Sequence, residues 1–260
     1  MKPRPITQDV QWMGAVDWNR RLFDSLIPLP DGTSYNAYFV RGSEKSALLD
    51  TVDPAMWDVL LHQLDGIEKI DYIVSHHTEQ DHAGSIPTVL EMYPMATLVC
   101  SPKAKALLMD HLNLDETRIK TVEDNETVSL GNKTLRFIHT PWVHWPETMV
   151  TFLPEDRILF SCDFFGSHLA TTDLFVGDNP YIAEAAKRYY AEIMMPFRST
   201  IRNNMKKVRA CEFDLIAPSH GPVYDNPEMI LSAYEDWISD AVTNTVVLPY
   251  ISMHGSTEIM

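Results

Sequence analysis

Four times in this chain a short apolar run is followed by a histidine or an aspartate, and that recurrence constrains the fold more than any other feature. Ile70-Asp71-Tyr72-Ile73-Val74 runs into His77-Thr78-Glu79-Gln80-Asp81-His82, and Thr134 to Ile138 leads through His139-Thr140-Pro141-Trp142-Val143 to His144. Arg157-Ile158-Leu159-Phe160-Ser161-Cys162 leads to Asp163, and Phe213 to Ser219 leads to His220 and Gly221. Short apolar runs bounded by turn residues read as buried strands. Sheet proteins place their sites at the carboxyl ends of strands, so a fold that gathers four such ends concentrates these side chains in one pocket.

The rest of the pattern is an alternation of strands and helices. Residues 1 to 33 are rich in Pro, Arg and Asp and end at the turn Pro30-Asp31-Gly32. Tyr35 to Val40 and Ser46 to Asp50 read as strands, Pro54 to Leu64 as a helix, and Ile70 to Val74 as a strand. A helix over Gly84 to Met92, a strand over Thr97 to Cys100 and a helix over Pro102 to Leu112 follow. Thr127 to Leu130 and Thr134 to Ile138 form an expected hairpin around Gly131-Asn132, and Met149 to Leu153 pairs with Arg157 to Ser161. Ala183 to Lys207 reads as helical with a break at Pro196, Leu215 to Ala217 as a strand, and Glu228 to Thr245 as a helix. Val246 to Ile251 then reads as a new strand, followed by the hydroxyl-rich loop Ser252-Met253-His254-Gly255-Ser256-Thr257-Glu258, the physical form of a phosphate cradle. The expected organisation is a domain over 1–245 and the start of a second one over 246–260.

Net charge is -15, which argues against nucleic acid or an anionic membrane surface as partner. No apolar run approaches the roughly 18 to 20 residues that span a bilayer, and no signal-peptide core follows the N-terminus, so a cytoplasmic location is expected. The cysteines, Cys100, Cys162 and Cys211, are odd in number and contain no CxxC pair, which leaves buried free thiols as the expectation. Alternation along a strand would turn Cys162 away from Asp163.

The donors are His77, Glu79, Asp81, His82, His144, Asp163 and His220. They suit two metal ions with four protein donors each if Asp163 bridges. His77, Glu79 and His144 form one half; Asp81, His82 and His220 form the other. Three carboxylates and four imidazoles without a thiolate suit iron or manganese, although zinc still competes. Two divalent ions against three carboxylates leave a small positive charge, compatible with redox work. The other histidines are read more plainly: His62 and His111 as surface residues, His76 as alternating out of the motif, and His139 and His168 as residues that orient ligands at most.

The pattern HxExDH, then His144 within HTPxxHWPET, then Ser161-Cys162-Asp163 and Pro218-Ser219-His220-Gly221, resembles the metallo-β-lactamase-like domain of flavodiiron proteins. The resemblance runs from about Gly14 to Met260 and includes Thr33-Ser34-Tyr35-Asn36-Ala37-Tyr38. Glu79 discriminates, because metallo-β-lactamase-like hydrolases mostly carry His there and bind zinc. Tyr250 to Glu258 resembles the first strand and FMN-phosphate loop of a flavodoxin domain. Ser252, His254, Gly255, Ser256 and Thr257 would be its remnant.

The resemblance implies an α/β fold of four layers, an αββα sandwich, holding a non-haem diiron site bridged by Asp163 and an oxo or hydroxo group. It implies an oxidoreductase that reduces dioxygen to water, nitric oxide to nitrous oxide, or both. Electrons would arrive through FMN, in a head-to-tail homodimer, from a rubredoxin-type or other reductase. A chain stopping at Met260 is expected to hold no FMN and to turn over poorly by itself. Trp145 would help to exclude water from the pocket. The family's tyrosine near the metal pocket falls at Tyr189 or Tyr190, and no role transfers to Phe23 to Pro28, which lacks the histidine of some members. Two other readings are a binuclear hydrolase, in which a metal-bridging hydroxide attacks an ester or thioester, and a non-enzymatic diiron oxygen sensor.

Overall fold

Strands buried on both faces need a covering layer on each side, and that requirement organises this chain. The computed structural model describes residues 2–241 and 249–259. Seven strands pair in the order Arg4–Pro5, Val10–Trp12, Tyr38–Arg41, Ser46–Leu49, Tyr72–Val74, Thr97–Cys100 and Ile119–Thr121. Pairing is antiparallel up to Ser46–Leu49 and parallel beyond it. A second sheet runs Thr127–Ser129, Thr134–His139, Met149–Leu153, Ile158–Cys162 and Leu215–Pro218, antiparallel except for the last pair.

Side-chain parity decides which sheet face meets which layer. Tyr38, Val40, Leu49, Val74 and Val99 of the first sheet pack with Leu135, Phe137, Met149, Phe160 and Ala217 of the second, forming the central core. Their neighbours Phe39, Leu48, Ile73 and Leu98 face the other way, onto Leu60 and Leu64 of the Trp57–Leu64 helix, Val89 of Ile86–Met92 and Leu108 of Pro102–Leu112. Ile138, Val150, Phe152, Leu159 and Ile216 likewise face Ala186, Ile201, Met205 and Tyr234 on the far side. Three cores between four layers make the expected αββα sandwich. Each large apolar side chain removed from water contributes about 1.5–3 kcal/mol. A one-residue slip of any strand would swap its two faces between cores, so register is strongly fixed.

Several boundaries differ from the sequence reading. The N-terminal segment contains strands, including two small ribbons, Ala15–Asp17 with Thr33–Tyr35 and Leu22–Phe23 with Ile27–Pro28. Strands this short show no alternation to read. The helix expected from Gly84 begins at Ile86, preceded by the separate turn Gln80–Ala83. The helical stretch around Pro196 divides into Ile182–Tyr189 and Arg198–Arg209, joined by a π-turn and a 3-10 turn. The last long helix, Pro227–Trp237, is shorter than expected. Arg202 and Arg198 donate to the Ile238 and Ser239 carbonyls and to Asp240, satisfying the helix end there. Half of the strand expected over Val246–Ile251 lies outside the described residues. Pro249, Tyr250 and Ile251 are not in a strand, and a single helical turn forms at Ser256–Ile259. Among the described residues no helix is long and apolar enough to cross a membrane.

This topology gathers the chemistry at one edge. Thr134–His139, Ile158–Cys162 and Leu215–Pro218 all run in the same direction, since two antiparallel steps restore it. Their carboxyl ends therefore share an edge of the second sheet. The first sheet is stitched to that edge by the Met149 amide on the His76 carbonyl (3.1 Å) and the Asn36 amide on the Ser219 carbonyl (2.8 Å).

Candidate metal centre

The loop after Tyr72–Val74 is held from beneath. Asp50 accepts from the His76 amide at 2.9 Å and pairs with His76 Nδ1 at 2.7 Å, while His76 Nε2 meets Thr151 Oγ1 at 2.6 Å. His76 is thus fully committed, and His77 turns the other way. The turn Gln80–Ala83 then carries Asp81 and His82, with the His82 carbonyl fixed by the Thr51 amide at 2.9 Å and the Thr51 hydroxyl at 2.5 Å. On the second sheet, Gly221 adopts φ +84° and lies so close to Ser167 that a Cβ would fall 2.1 Å from its Oγ. That close approach seats His220, whose carbonyl accepts from the Ser167 amide at 3.1 Å.

Asp163 stands at the centre, and its two oxygens face different groups. Oδ2 lies 3.5 Å from both His77 Nε2 and His144 Nε2, and those nitrogens lie 3.0 and 3.2 Å from Glu79 Oε2. Oδ1 lies 3.0 Å from His82 Nε2 and 3.4 Å from His220 Nε2. Asp81 completes that side, with Oδ1 3.4 Å from His82 Nε2 and Oδ2 3.3 Å from His220 Nε2. One donor atom from each of His77, Glu79, His144 and Asp163 lies within 4.8 Å of the others, as do those of Asp81, His82 and His220. The seven residues expected from the sequence are therefore brought together, in the two groups expected.

The electrostatics call for cations. Burial alone would depress the His77 imidazolium, but hydrogen bonds to Glu147 and Glu79 and the charge of Asp163 outweigh it and raise the pKa to about 10. His82 is raised to about 10 against its burial by Asp81 and Asp163, and His144 to about 10 against its burial by Asp163 and Glu79. Both oxygens of Asp81, Asp163 Oδ1 and both nitrogens of His82 are buried without a hydrogen-bond partner. Buried acceptors left bare are costly, and a divalent cation bound by oxygen and imidazole nitrogen would satisfy them. The donor set fits two such ions.

Around the donors the structure separates the remaining expectations. Trp145 packs edge-on against His77 at 4.9 Å between ring centroids. Tyr189 lies 5.8 Å from the His220 ring and 4.8 Å from His168. Tyr190 packs instead on Tyr234 and Trp237, with its hydroxyl 3.3 Å from the Trp237 carbonyl, so it belongs to the outer core. His168 contacts His220 at 4.8 Å and bonds Thr33 Oγ1 through Nδ1, whereas His139 bonds the Val122 carbonyl and does not reach the donors. Ser252, His254, Gly255, Ser256 and Thr257 join neither donor group; the Thr257 amide donates to Ser252 Oγ at 3.2 Å.

The orientation expected for Cys162 is corrected. A β-bulge between Phe160 and Cys162 and a φ of +52° at Cys162 end the strand there, so alternation no longer applies. Its buried thiol lies with His82 and Asp163, donor atoms within 4.8 Å of one another, and burial pushes its pKa well up.

Two residues escaped the sequence reading. Glu147 is buried, and its Oε1 accepts from His77 Nδ1 at 2.8 Å and from the Thr78 amide and hydroxyl at 3.1 and 2.8 Å. Its place within HWPET was the available signal. Asp24 sits near Glu79 and Asp81; burial and then those two charges raise its pKa. Nothing local marks it, because the proximity is made by the Leu22–Phe23 and Ile27–Pro28 ribbon.

Residues 33–221 match the family model described as ODP family beta lactamase. The chain is 37% identical to a nitric oxide reductase of Moorella thermoacetica over its whole length, covering 67% of that protein. Its fold is similar to the crystal structure of the flavodiiron protein from Giardia intestinalis, with a TM-score of 0.86, 30% identity and coverage of 92% of this chain and 59% of that one. It is also similar to rubredoxin oxygen:oxidoreductase from Desulfovibrio gigas, with a TM-score of 0.85, 29% identity and coverage of 91% and 60%.

Proposed function

Since this chain belongs to the flavodiiron proteins, through their ODP-type β-lactamase-like domain, we propose that it is the diiron catalytic core of a reductase of dioxygen, nitric oxide or both. The observation that carries this reading is the division of the Asp163 oxygens between two donor groups, one containing Glu79. His77, Glu79 and His144 would hold one iron, Asp81, His82 and His220 the other, with Asp163 as the bridging carboxylate. When bound, two ferrous ions supply one electron each, enough to convert two nitric oxides and two protons to nitrous oxide and water, whereas four-electron reduction of dioxygen to two waters needs a second pair.

The protein's own share is to orient, to dry and to donate. Glu147 and the Ser34 carbonyl fix His77 and His220 through Nδ1 at 2.8 and 2.7 Å, so that both present Nε2 inward. Trp145 on His77, and Phe23 5.9 Å from the His220 ring, shield the donors from water. Burial, reinforced by the charge of Asp163, raises the Tyr189 phenol well above its ordinary range, so its hydroxyl stays protonated beside His220 and can donate a hydrogen bond.

The chain spans 67% of the Moorella protein and about 60% of the two solved chains. For the route of electrons we propose FMN presented by a second copy in a head-to-tail pair, fed by a rubredoxin-type or other reductase. The flavin and the rubredoxin-type donor are supported by the names of two similar proteins, the flavodiiron protein of Giardia intestinalis and the rubredoxin oxygen:oxidoreductase of Desulfovibrio gigas.

The test is anaerobic loading with two ferrous ions per chain and rapid mixing with nitric oxide or dioxygen. Consumption of either gas with oxidation of the iron is expected. A protein that retains zinc over iron, hydrolyses esters and leaves both gases untouched would favour the hydrolase reading.

A further inference from the structure

A histidine that holds a metal through Nε2 must satisfy its Nδ1–H elsewhere, and the partner tunes how good a donor the ring is. In this chain the partners are unequal. His77 Nδ1 meets the Glu147 carboxylate at 2.8 Å. His220 Nδ1 meets the neutral Ser34 carbonyl at 2.7 Å, and His82 Nδ1 is buried with no partner. Glu147 is itself held rigidly by the Thr78 amide and hydroxyl, and the Ser101 hydroxyl donates to its backbone carbonyl at 2.7 Å. Carboxylates are also unevenly spread. The His77 side has Glu79 and, through the imidazole, Glu147; the His82 side has Asp81; Asp163 is shared.

We propose that Glu147 is a positioning residue that makes the two metal positions unequal, so that the His77–Glu79–His144 position fills first and binds more tightly. A carboxylate on Nδ1 draws the ring proton toward itself and increases electron density at Nε2, whereas a carbonyl does so less and an unpartnered N–H not at all. The same bond locks the ring plane and its tautomer, so no reorientation is required when the ion arrives. Loss of such a partner weakens metal binding by about 10- to 100-fold. The inference rests on the two-metal reading of the site.

The experiment is an anaerobic titration of the chelated protein with cobalt(II) alone, followed by visible absorbance and by nuclear magnetic resonance of isotope-labelled histidine rings. Wild type should bind in two steps, the first perturbing His77 and His144 before His82 and His220. Glu147→Gln keeps an amide oxygen for His77 and Thr78 but removes the charge. It should weaken the first step about 10- to 100-fold and leave the second in place. Glu147→Asp, which keeps the charge on a shorter side chain, should recover part of the loss. Two equal steps in wild type, first perturbation at His82 and His220, or equal weakening of both steps by Glu147→Gln would each overturn the proposal; the first two need no variant. Binding of one cobalt or none would instead refute the two-metal reading.

Discussion

Stripping metal from this centre should make the stability of the protein depend steeply on pH between neutrality and pH 10. The perturbation is chelation, which returns the site to buried imidazoles facing buried carboxylates. His77, His82 and His144 each have a folded pKa of about 10 against 6.5 for the free side chain. A folded pKa above the unfolded one means that the group stabilises fully below pH 6.5 and loses that contribution as pH rises through about 10. At about 1.36 kcal/mol per unit, one such imidazole is worth on the order of 5 kcal/mol. The three share Asp163 and Glu79, so their protons are not independent and one is counted. For a chain this long, about 5 kcal/mol corresponds to a fall in melting temperature of roughly 10 °C or more. Differential scanning calorimetry of chelated and iron-loaded protein at pH 6.5 to 10 reads this directly. In the loaded protein the ring nitrogens are already deprotonated donors, so that span should be nearly flat. Asp163 and Glu79 have the opposite sign: their folded pKa values are lowered by the facing imidazoles against the effect of burial, so their contribution disappears only in acid. A chelated protein whose melting temperature is constant from pH 6.5 to 10 would refute the charge balance described here.

Two further expectations concern single residues. Tyr190→Phe should cost about 1 kcal/mol or less, the loss of one bond to the Trp237 carbonyl, and leave gas consumption unchanged, whereas Tyr189→Phe should slow it about a hundred-fold; equal rates in rapid mixing would remove Tyr189 from the mechanism. Gly221→Ala must place a Cβ 2.1 Å from Ser167 Oγ at a φ of +84°, so it should cost at least about 1–3 kcal/mol in urea unfolding and loosen metal at His220. An unchanged unfolding midpoint with full metal content would contradict that account.

Much of this centre was legible one strand end at a time. His77, Glu79, Asp81 and His82 lie within six residues, and their chemistry can be read without knowing what they face. His144, Asp163 and His220 follow apolar runs that any buried sheet would need, so their placement at one edge follows once those strands run in the same direction. Boundaries read less well. Helix ends depend on what holds the chain just past the last turn, and the arginines that bind the Ile238 and Ser239 carbonyls beyond Pro227–Trp237 come from a different helix.

What the sequence determined by itself is the kind and spacing of donors, oxygen and imidazole without thiolate, because covalent order carries that information. What only the tertiary structure decided is which oxygen of Asp163 faces which group, that Tyr189 and not Tyr190 touches the centre, that Cys162 turns inward, and that Glu147 anchors His77. Each depends on partners far apart in the chain, Glu147 and His77 by 70 positions and His220 and Ser34 by 186. The distances between them are set by how two sheets stack, and local periodicity contains no term for that stacking.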